Sequence, residues 1–162
     1  RNITLNDARA IAIIYNHYIA NTIITFEEQQ LSEDEMKDRI KTHDTNLPWI
    51  IYEENAELLG YAYATPWKSR CAYRNSVEST VYLRKDKYRK GIGKKLYVEL
   101  LKQLSKKGVH TVIAGIALPN QPSVVLHESL GFKKVAHFKE VGFKFGTCID
   151  VAYWQYFYTK RI

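Results

Sequence analysis

The sequence predicts an α/β domain built on a mostly antiparallel sheet. Apolar residues recur at helical spacing in some stretches and alternate in others along the whole chain. Strand-like runs follow one another across short turns, both early and late, which favours antiparallel neighbours. No linker, repeat or low-complexity segment interrupts the 162 residues, and 46% hydrophobic content suffices for one substantial core. One domain over residues 1–162 is therefore expected.

The elements follow in order. Asn6 or Asp7 can cap a first helix in which Ala8, Ile11, Ala12, Tyr15 and Ile19 share a face. Ser32 and Glu35 form a capping box for a second helix reaching about His43. The period then changes: WIIYEE (49–54) and ELLGYAYATP (57–66) read as strands around a turn at Asn55, and SVESTVYLR (76–84) as a third. Ile92, Leu96, Leu100 and Leu104 mark one face of a further helix, and VHTVIAGIA (109–117) is a buried strand. Asn120 opens a helix reaching Leu130, which Gly131 stops, and two strands follow near 132–140 and 148–158.

Composition excludes several classes. No apolar run is long enough for a membrane span, and the opening RNITLNDARA lacks the pattern of a signal peptide, so a soluble cytoplasmic protein is expected. Cys71 and Cys148 match no metal or redox spacing and read as reduced thiols. His43, His110 and His137 show no ligand spacing, so no metal is expected. The net charge of +7 raises the alternative of a non-catalytic nucleic-acid-binding module. Yet seven basic residues, Arg84, Lys85, Lys87, Arg89, Lys90, Lys94 and Lys95, crowd one segment against the single Asp86. Charge gathered at one loop fits a local anion site, and no nucleic-acid-binding motif or stacking pattern accompanies it.

That loop, KYRKGIGKKL, holds two glycines one residue apart and runs straight into a helix. Glycines let the backbone approach an oxygen-rich ligand, and the new helix aims its unpaired N–H groups at the same point. A pyrophosphate matches such a site. Neither Gly-x-x-x-x-Gly-Lys-Ser/Thr nor a complete Gly-x-Gly-x-x-Gly is present, which removes two familiar alternatives.

The order of parts, an apolar strand, a basic Gly-x-Gly loop, a helix, a buried strand and then NQPSVVLHESLGF, resembles the GNAT acetyltransferase superfamily. Within it, IYNHYI (14–19), PWKSRCAYRNSVESTVYL (66–83), LPNQPSVVLHESLGF (118–132) and VGFKFGTCIDVAYWQ (141–155) look like phosphinothricin N-acetyltransferases, some of whose relatives act on methionine sulfoximine. The resemblance spans almost the whole chain. It implies the GNAT (acyl-CoA N-acyltransferase) fold, a mixed sheet flanked by helices. It also implies acetyl-CoA as cosubstrate, a small amino-acid-like acceptor and a homodimer. One departure is Tyr88, where the superfamily loop carries Gln or Arg. A different small amine or a protein N-terminus is the alternative acceptor.

The resemblance also implies site residues. Val81, Tyr82 and Leu83 would offer strand backbone to the pantetheine arm, with Asn120 nearby, while Arg89, Lys90, Gly91, Ile92, Gly93 and Lys94 would hold the pyrophosphate. An amine must lose a proton to attack a thioester, and Glu78 matches the family's catalytic glutamate. On alternation alone Glu78 shares a face with Thr80 and Tyr82, opposite Val77, Ser79 and Val81, which leaves open the face that holds the ligand. His127, seven residues after Asn120, matches the position expected to return a proton to the leaving thiolate. Lys68, Arg70 and Arg74 are cations suited to an acceptor's acidic groups, and they argue against a polyamine. Phe26, Trp67 and Tyr73 would wall the pocket, and Lys144 and Phe145 lie on a late hairpin that could close it.

Overall fold

The computed structural model describes residues 1–88 and 90–158. Their helices are α1 (Ala8–Asn21), α2 (Glu33–Thr42), α3 (Ile92–Lys106) and α4 (Gln121–Ser129). The strands are β1 (Trp49–Glu54), β2 (Glu57–Pro66), β3 (Ser76–Leu83), β4 (Thr111–Leu118), β5 (Lys133–Lys144) and β6 (Thr147–Phe157). They form a six-stranded sheet in the order β1-β2-β3-β4-β6-β5. Only β3 and β4 run parallel, as α3 connects them; the other neighbours are antiparallel.

The β3–β4 ladder is short. It pairs Ser76 with Thr111, Val77 with Val112 and Glu78 with Ile113, and then stops, although both strands continue. Beyond Glu78 the two strands are held only by their outer neighbours, β2 and β6. The sheet is thus split in its middle, and two strand edges face each other across the opening.

The two faces of the sheet are packed differently. Val77, Val112, Ala114, Ile116, Ala152 and Trp154 face α3, which buries Ile92, Leu96, Leu100 and Leu104 against them. Each such leucine contributes roughly 1.5–3 kcal/mol. On the other face α1 and α2 enclose a cluster rich in rings: Tyr15, Tyr18, Trp49, Tyr61 and Tyr82 beside Ile11, Ile19 and Met36. The alternation of β3 places Glu78, Thr80 and Tyr82 on this second side.

Local chemistry explains most element ends. Ser32 and Glu35 form the expected capping box at α2, which ends at Thr42 with His43 as its C-cap. Asn55 and Ala56 both have positive φ, the backbone of a tight two-residue hairpin. Asp7 stands at the expected N-cap of α1. The Asp7 side chain makes no cap bond; its carboxylate turns back to the Thr4 N–H at 2.7 Å and to the Arg1 guanidinium at 2.8 and 2.9 Å. A 3-10 turn at Leu5–Asp7 leads into the helix instead. The final hairpin is longer than expected, because β5 runs on to Lys144 through register shifts after Lys134 and Phe138.

Candidate active site

The split in the sheet opens into a cleft of about 600 Å³. Its walls are Glu78–Tyr82 of β3, Gly115–Ala117 of β4, Asn120, Ser123 and His127 around α4, the segment Ile24–Phe26, and Val141–Phe143 with Val151 and Tyr153 from the last hairpin. Residues of both parities along β3 line it, because it passes through the sheet edge. Both faces of the strand therefore border the cleft.

Glu78 stands at the last rung of the β3–β4 ladder. It is half-buried, and burial pushes its carboxyl above the usual range, an effect that the charge of Lys68 partly offsets. Among the described residues the carboxylate makes no hydrogen bond or ion pair. Gly115 leaves the room it occupies: a Cβ there would lie 3.4 Å from Glu78 Oε1 and 3.1 Å from the Tyr153 ring. A partly desolvated carboxylate with no protein partner, facing a cleft, is suited to take a proton from a bound ligand.

The opposite wall holds a satisfied line of groups. Ser79 Oγ lies 3.0 Å from the Tyr97 hydroxyl, which lies 2.7 Å from His127 Nε2, while His127 Nδ1 lies 2.7 Å from the Ser123 carbonyl oxygen. A carbonyl only accepts, so Nδ1 carries the ring hydrogen and Nε2 accepts from Tyr97. Burial also pulls the imidazole below its usual pKa, so it is neutral near pH 7. This corrects the expectation for His127 as a direct proton donor: its free nitrogen already accepts from Tyr97, because both rings are packed beneath the cleft. The group it serves is the Tyr97 hydroxyl, with Ser79 at the end of the line.

The strand edge expected to meet the pantetheine arm is shorter than Val81–Leu83. Leu83 N–H donates to the Tyr18 hydroxyl at 3.2 Å, and that hydroxyl donates to the Leu83 carbonyl at 2.7 Å. Leu83 backbone is therefore occupied, which corrects its assignment. By alternation Val81 turns its N–H and C=O to this same side, away from β2, where the split leaves them facing the cleft. Tyr82 also lines the cleft. Tyr88 donates to the Tyr18 hydroxyl at 2.9 Å, so the residue that departs from the family loop ties the loop to α1.

Gly91 is the N-cap of α3 with φ +74, and an added Cβ would meet nothing within 4 Å. Its conformation favours glycine, and open space lies before the helix N-terminus. Ile92 and Gly93 are the buried first turn, whereas Lys90 and Lys94 are exposed beside it. Arg89 lies outside the described residues. Asn120 caps α4, its side chain accepting from the Ser123 N–H at 3.3 Å, and also lines the cleft.

A family model described as an acetyltransferase (GNAT) domain matches residues 1–153. Phosphinothricin N-acetyltransferase of Streptomyces viridochromogenes is 39% identical over 155 residues, 96% of this chain and 85% of that protein. The L-methionine sulfoximine/L-methionine sulfone acetyltransferase of Salmonella typhimurium is 33% identical over 92% of this chain and 88% of its own. A phosphinothricin acetyltransferase from Sinorhizobium meliloti, solved in complex with acetyl-CoA, superposes with a TM-score of 0.92 at 37% identity, covering 96% of this chain and 85% of the other. The chain belongs to the GNAT acetyltransferase family.

For a GNAT enzyme the residues present fit acetyl-CoA on structural grounds: an open strand edge at Val81, a glycine-capped helix start with lysines around it, and Asn120 at the cleft wall. The cations expected for the acceptor are less well placed. Among the residues lining the cleft only Phe26 comes from that expected set. Trp67 stands behind Tyr153, ring centres 5.7 Å apart, and Lys68 lies over the Trp67 ring at 4.7 Å. Arg70, Tyr73 and Arg74 are exposed, and Arg74 bonds to the Cys71 carbonyl at 3.3 Å within its own loop. The loop turns outward, so sequence proximity to Glu78 does not bring these side chains to it.

Sequence reasoning missed Gly115, Ser79, Tyr97 and Tyr153. Only Gly115 left a signal, a glycine inside a buried strand, which marks a close approach. Tyr97 is one tyrosine among many on a helix face that reads as core.

Proposed function

We propose that this acetyl-CoA-dependent N-acetyltransferase acts on the amino group of phosphinothricin or a similar small amino acid such as methionine sulfoximine. The observation that carries this reading is Glu78: a half-buried carboxylate without a partner among the described residues, beside the space left by Gly115. The names of the relatives point to the same acceptor class.

Bound acetyl-CoA supplies an activated acetyl thioester. Val81 backbone and Asn120 would hold its arm, and the α3 N-terminus with Gly91, Lys90 and Lys94 its pyrophosphate. Arg89 belongs to this proposed set by sequence. Glu78 takes a proton from the acceptor ammonium, directly or through a water, leaving the amine neutral for attack. The line Ser79–Tyr97–His127 orders the opposite wall, and the second proton that the attacking nitrogen sheds on becoming an amide goes to the leaving sulfur as the carbon–sulfur bond breaks. Lys68, whose charge already acts on Glu78, is the cation best placed to draw an acidic acceptor to the cleft mouth.

Phe138, Val141, Phe143 and Phe145 are each more than half exposed along β5 and its turn, which supports a homodimer that covers them. Arg70, Tyr73 and Arg74 would then gain neighbours that one chain does not give them. We place the enzyme in the cytoplasm, where acetyl-CoA is made, without a nucleic-acid partner. No described helix is long and apolar enough to cross a membrane. Acetylation of phosphinothricin would make it a herbicide-resistance enzyme.

The test is an acceptor panel followed by thiol release from acetyl-CoA: phosphinothricin, methionine sulfoximine, methionine sulfone, the free amino acids, a polyamine and a peptide N-terminus. The highest kcat/KM is expected for the first two. A polyamine or peptide above every amino-acid-like compound would overturn the proposed acceptor.

A further inference from the structure

The cleft wall opposite Tyr153 is residues 24–26, part of the segment 22–32 that joins α1 to α2 without regular structure. Most of its bonds run back to those two helices. Thr25 Oγ1 lies 2.8 Å from the Tyr15 hydroxyl, which donates to Glu27 at 2.8 Å, and Arg39 grips Glu27 with two bonds of 2.8 Å. Asn16 bonds both the N–H and the carbonyl of Leu31 at 2.8 Å. These contacts fix the segment to α1 and α2. They do not fix it to the far side of the cleft.

Two contacts do that. The Lys144 ammonium, at the end of β5, donates to the Thr25 carbonyl at 2.7 Å. The Phe26 ring lies on the bare backbone of Gly142, where any Cβ would collide with it. Lys144 is delivered to one place by its own hairpin. It forms the last β5–β6 pair with Thr147, and Phe145 and Gly146 between them both have positive φ, the geometry of a tight turn.

Lys144 is only 2% exposed, and no carboxylate lies within ion-pair range of it among the described residues. Glu28 and Glu27 act on it only from a distance. Burying an ammonium in this way is costly, and an apolar side chain would close the seam at lower cost. What an apolar side chain lacks is a directional bond to a backbone carbonyl. The neighbours of Lys144 on β5, Val141 to Phe143, line the cleft, as do Thr25 and Phe26 on the other side of the bond.

We propose that Lys144 is a positioning residue for the acceptor: through the Thr25 carbonyl it clamps the 24–26 wall to the β5 end, with Gly142 as the seat that sets how far Phe26 enters the cleft. This rests on the reading of the cleft side around Glu78 and Tyr153 as the acceptor pocket. Lys144 touches no reacting group. Its effect is on the width of the space beside Glu78, so it bears on the acceptor and not on the acetyl-CoA edge at Val81 and Gly91.

Lys144→Met tests the clamp with two readouts on the full chain. Backbone hydrogen exchange should quicken in peptides covering 22–31 and stay unchanged in β6 and α3. In steady-state assays the acceptor KM should rise roughly tenfold, while the acetyl-CoA KM stays within about twofold, as expected when one charge-assisted bond acting on one subsite is lost. Gly142→Ala, which pushes Phe26 from the other side and leaves Lys144 intact, should give the same split between the two KM values. It decides the matter by the same readouts if Lys144→Met does not fold. Unchanged exchange over 22–31, or equal shifts in both KM values, would overturn the proposal. The wild-type acceptor panel separately judges the acceptor class, and a different preferred amine only changes the compound used in the kinetic assay.

Discussion

The two walls of the cleft invite comparison. On the α3 side, Ser79, Tyr97, His127 and Ser123 form a continuous hydrogen-bonded line, and the ring nitrogens of His127 both have partners. On the α1 side, Glu78 is held by burial alone, with no bond to its carboxylate among the described residues. A satisfied line is stable and orients its members. An unpartnered carboxylate adds nothing to the fold and is available to a ligand. The difference separates a group that does chemistry from groups that are kept in order for it, a separation that residue type alone would not give, since histidine and glutamate are equally credible acids and bases.

The largest way to break this comparison is to close the open wall. Gly115→Val should depress kcat/KM for the acceptor by about a hundredfold or more, because its branched side chain fills the space between Glu78 and Tyr153. Binding of acetyl-CoA, measured by calorimetry, should be nearly unchanged. Equal loss on both substrates would mean that Gly115 matters for folding alone.

A smaller effect is expected from the satisfied wall. Tyr97→Phe removes the hydroxyl between Ser79 and His127 and leaves His127 Nε2 buried without a donor, at a cost of roughly 1–3 kcal/mol in unfolding free energy. Turnover should fall about tenfold, less than the loss of a direct acid or base would cause, since the hydroxyl's role is to orient the wall. Denaturant unfolding and kcat, measured on the same preparation, check both parts. Full stability with lost turnover would make Tyr97 a direct acid and sharpen the distinction between the walls in the other direction.

Much of this architecture is legible in the sequence where the signal is local. The Ser32–Glu35 box, the Asn55 turn, the Gly91 helix start and the Asn120 cap each follow from a few neighbouring residues, and all are present. The motif order pointed to Glu78 and His127, and both line the cleft. What could not be read is what depends on the path of the chain in space. Arg70 and Arg74 are close to Glu78 in sequence yet turn outward on a loop, and Leu83 loses its free backbone to Tyr18, a residue far away on α1. Lys144 and Thr25 come from opposite ends of the chain, so no periodicity could join them. Asp7 has the side chain of a helix cap, but a nearby arginine claims it.

The most direct test of the account is Glu78→Gln followed across pH. Burial raises the carboxyl pKa of Glu78 above that of an unfolded chain, so the folded state holds its proton more tightly, and stability falls as pH rises through the window above the usual value near 4.5. The amide carries no such charge. The variant should therefore unfold at the same or a higher temperature than wild type at pH 7 and show no such gain at pH 4. Its turnover at neutral pH should fall by about a hundred- to ten-thousand-fold. The deficit should shrink at alkaline pH, where the acceptor amine is already neutral, and the acid limb of kcat/KM should move up to follow the amine's own ionisation. Near-normal turnover at pH 7, or an acid limb left at its wild-type position, would contradict Glu78 as the base.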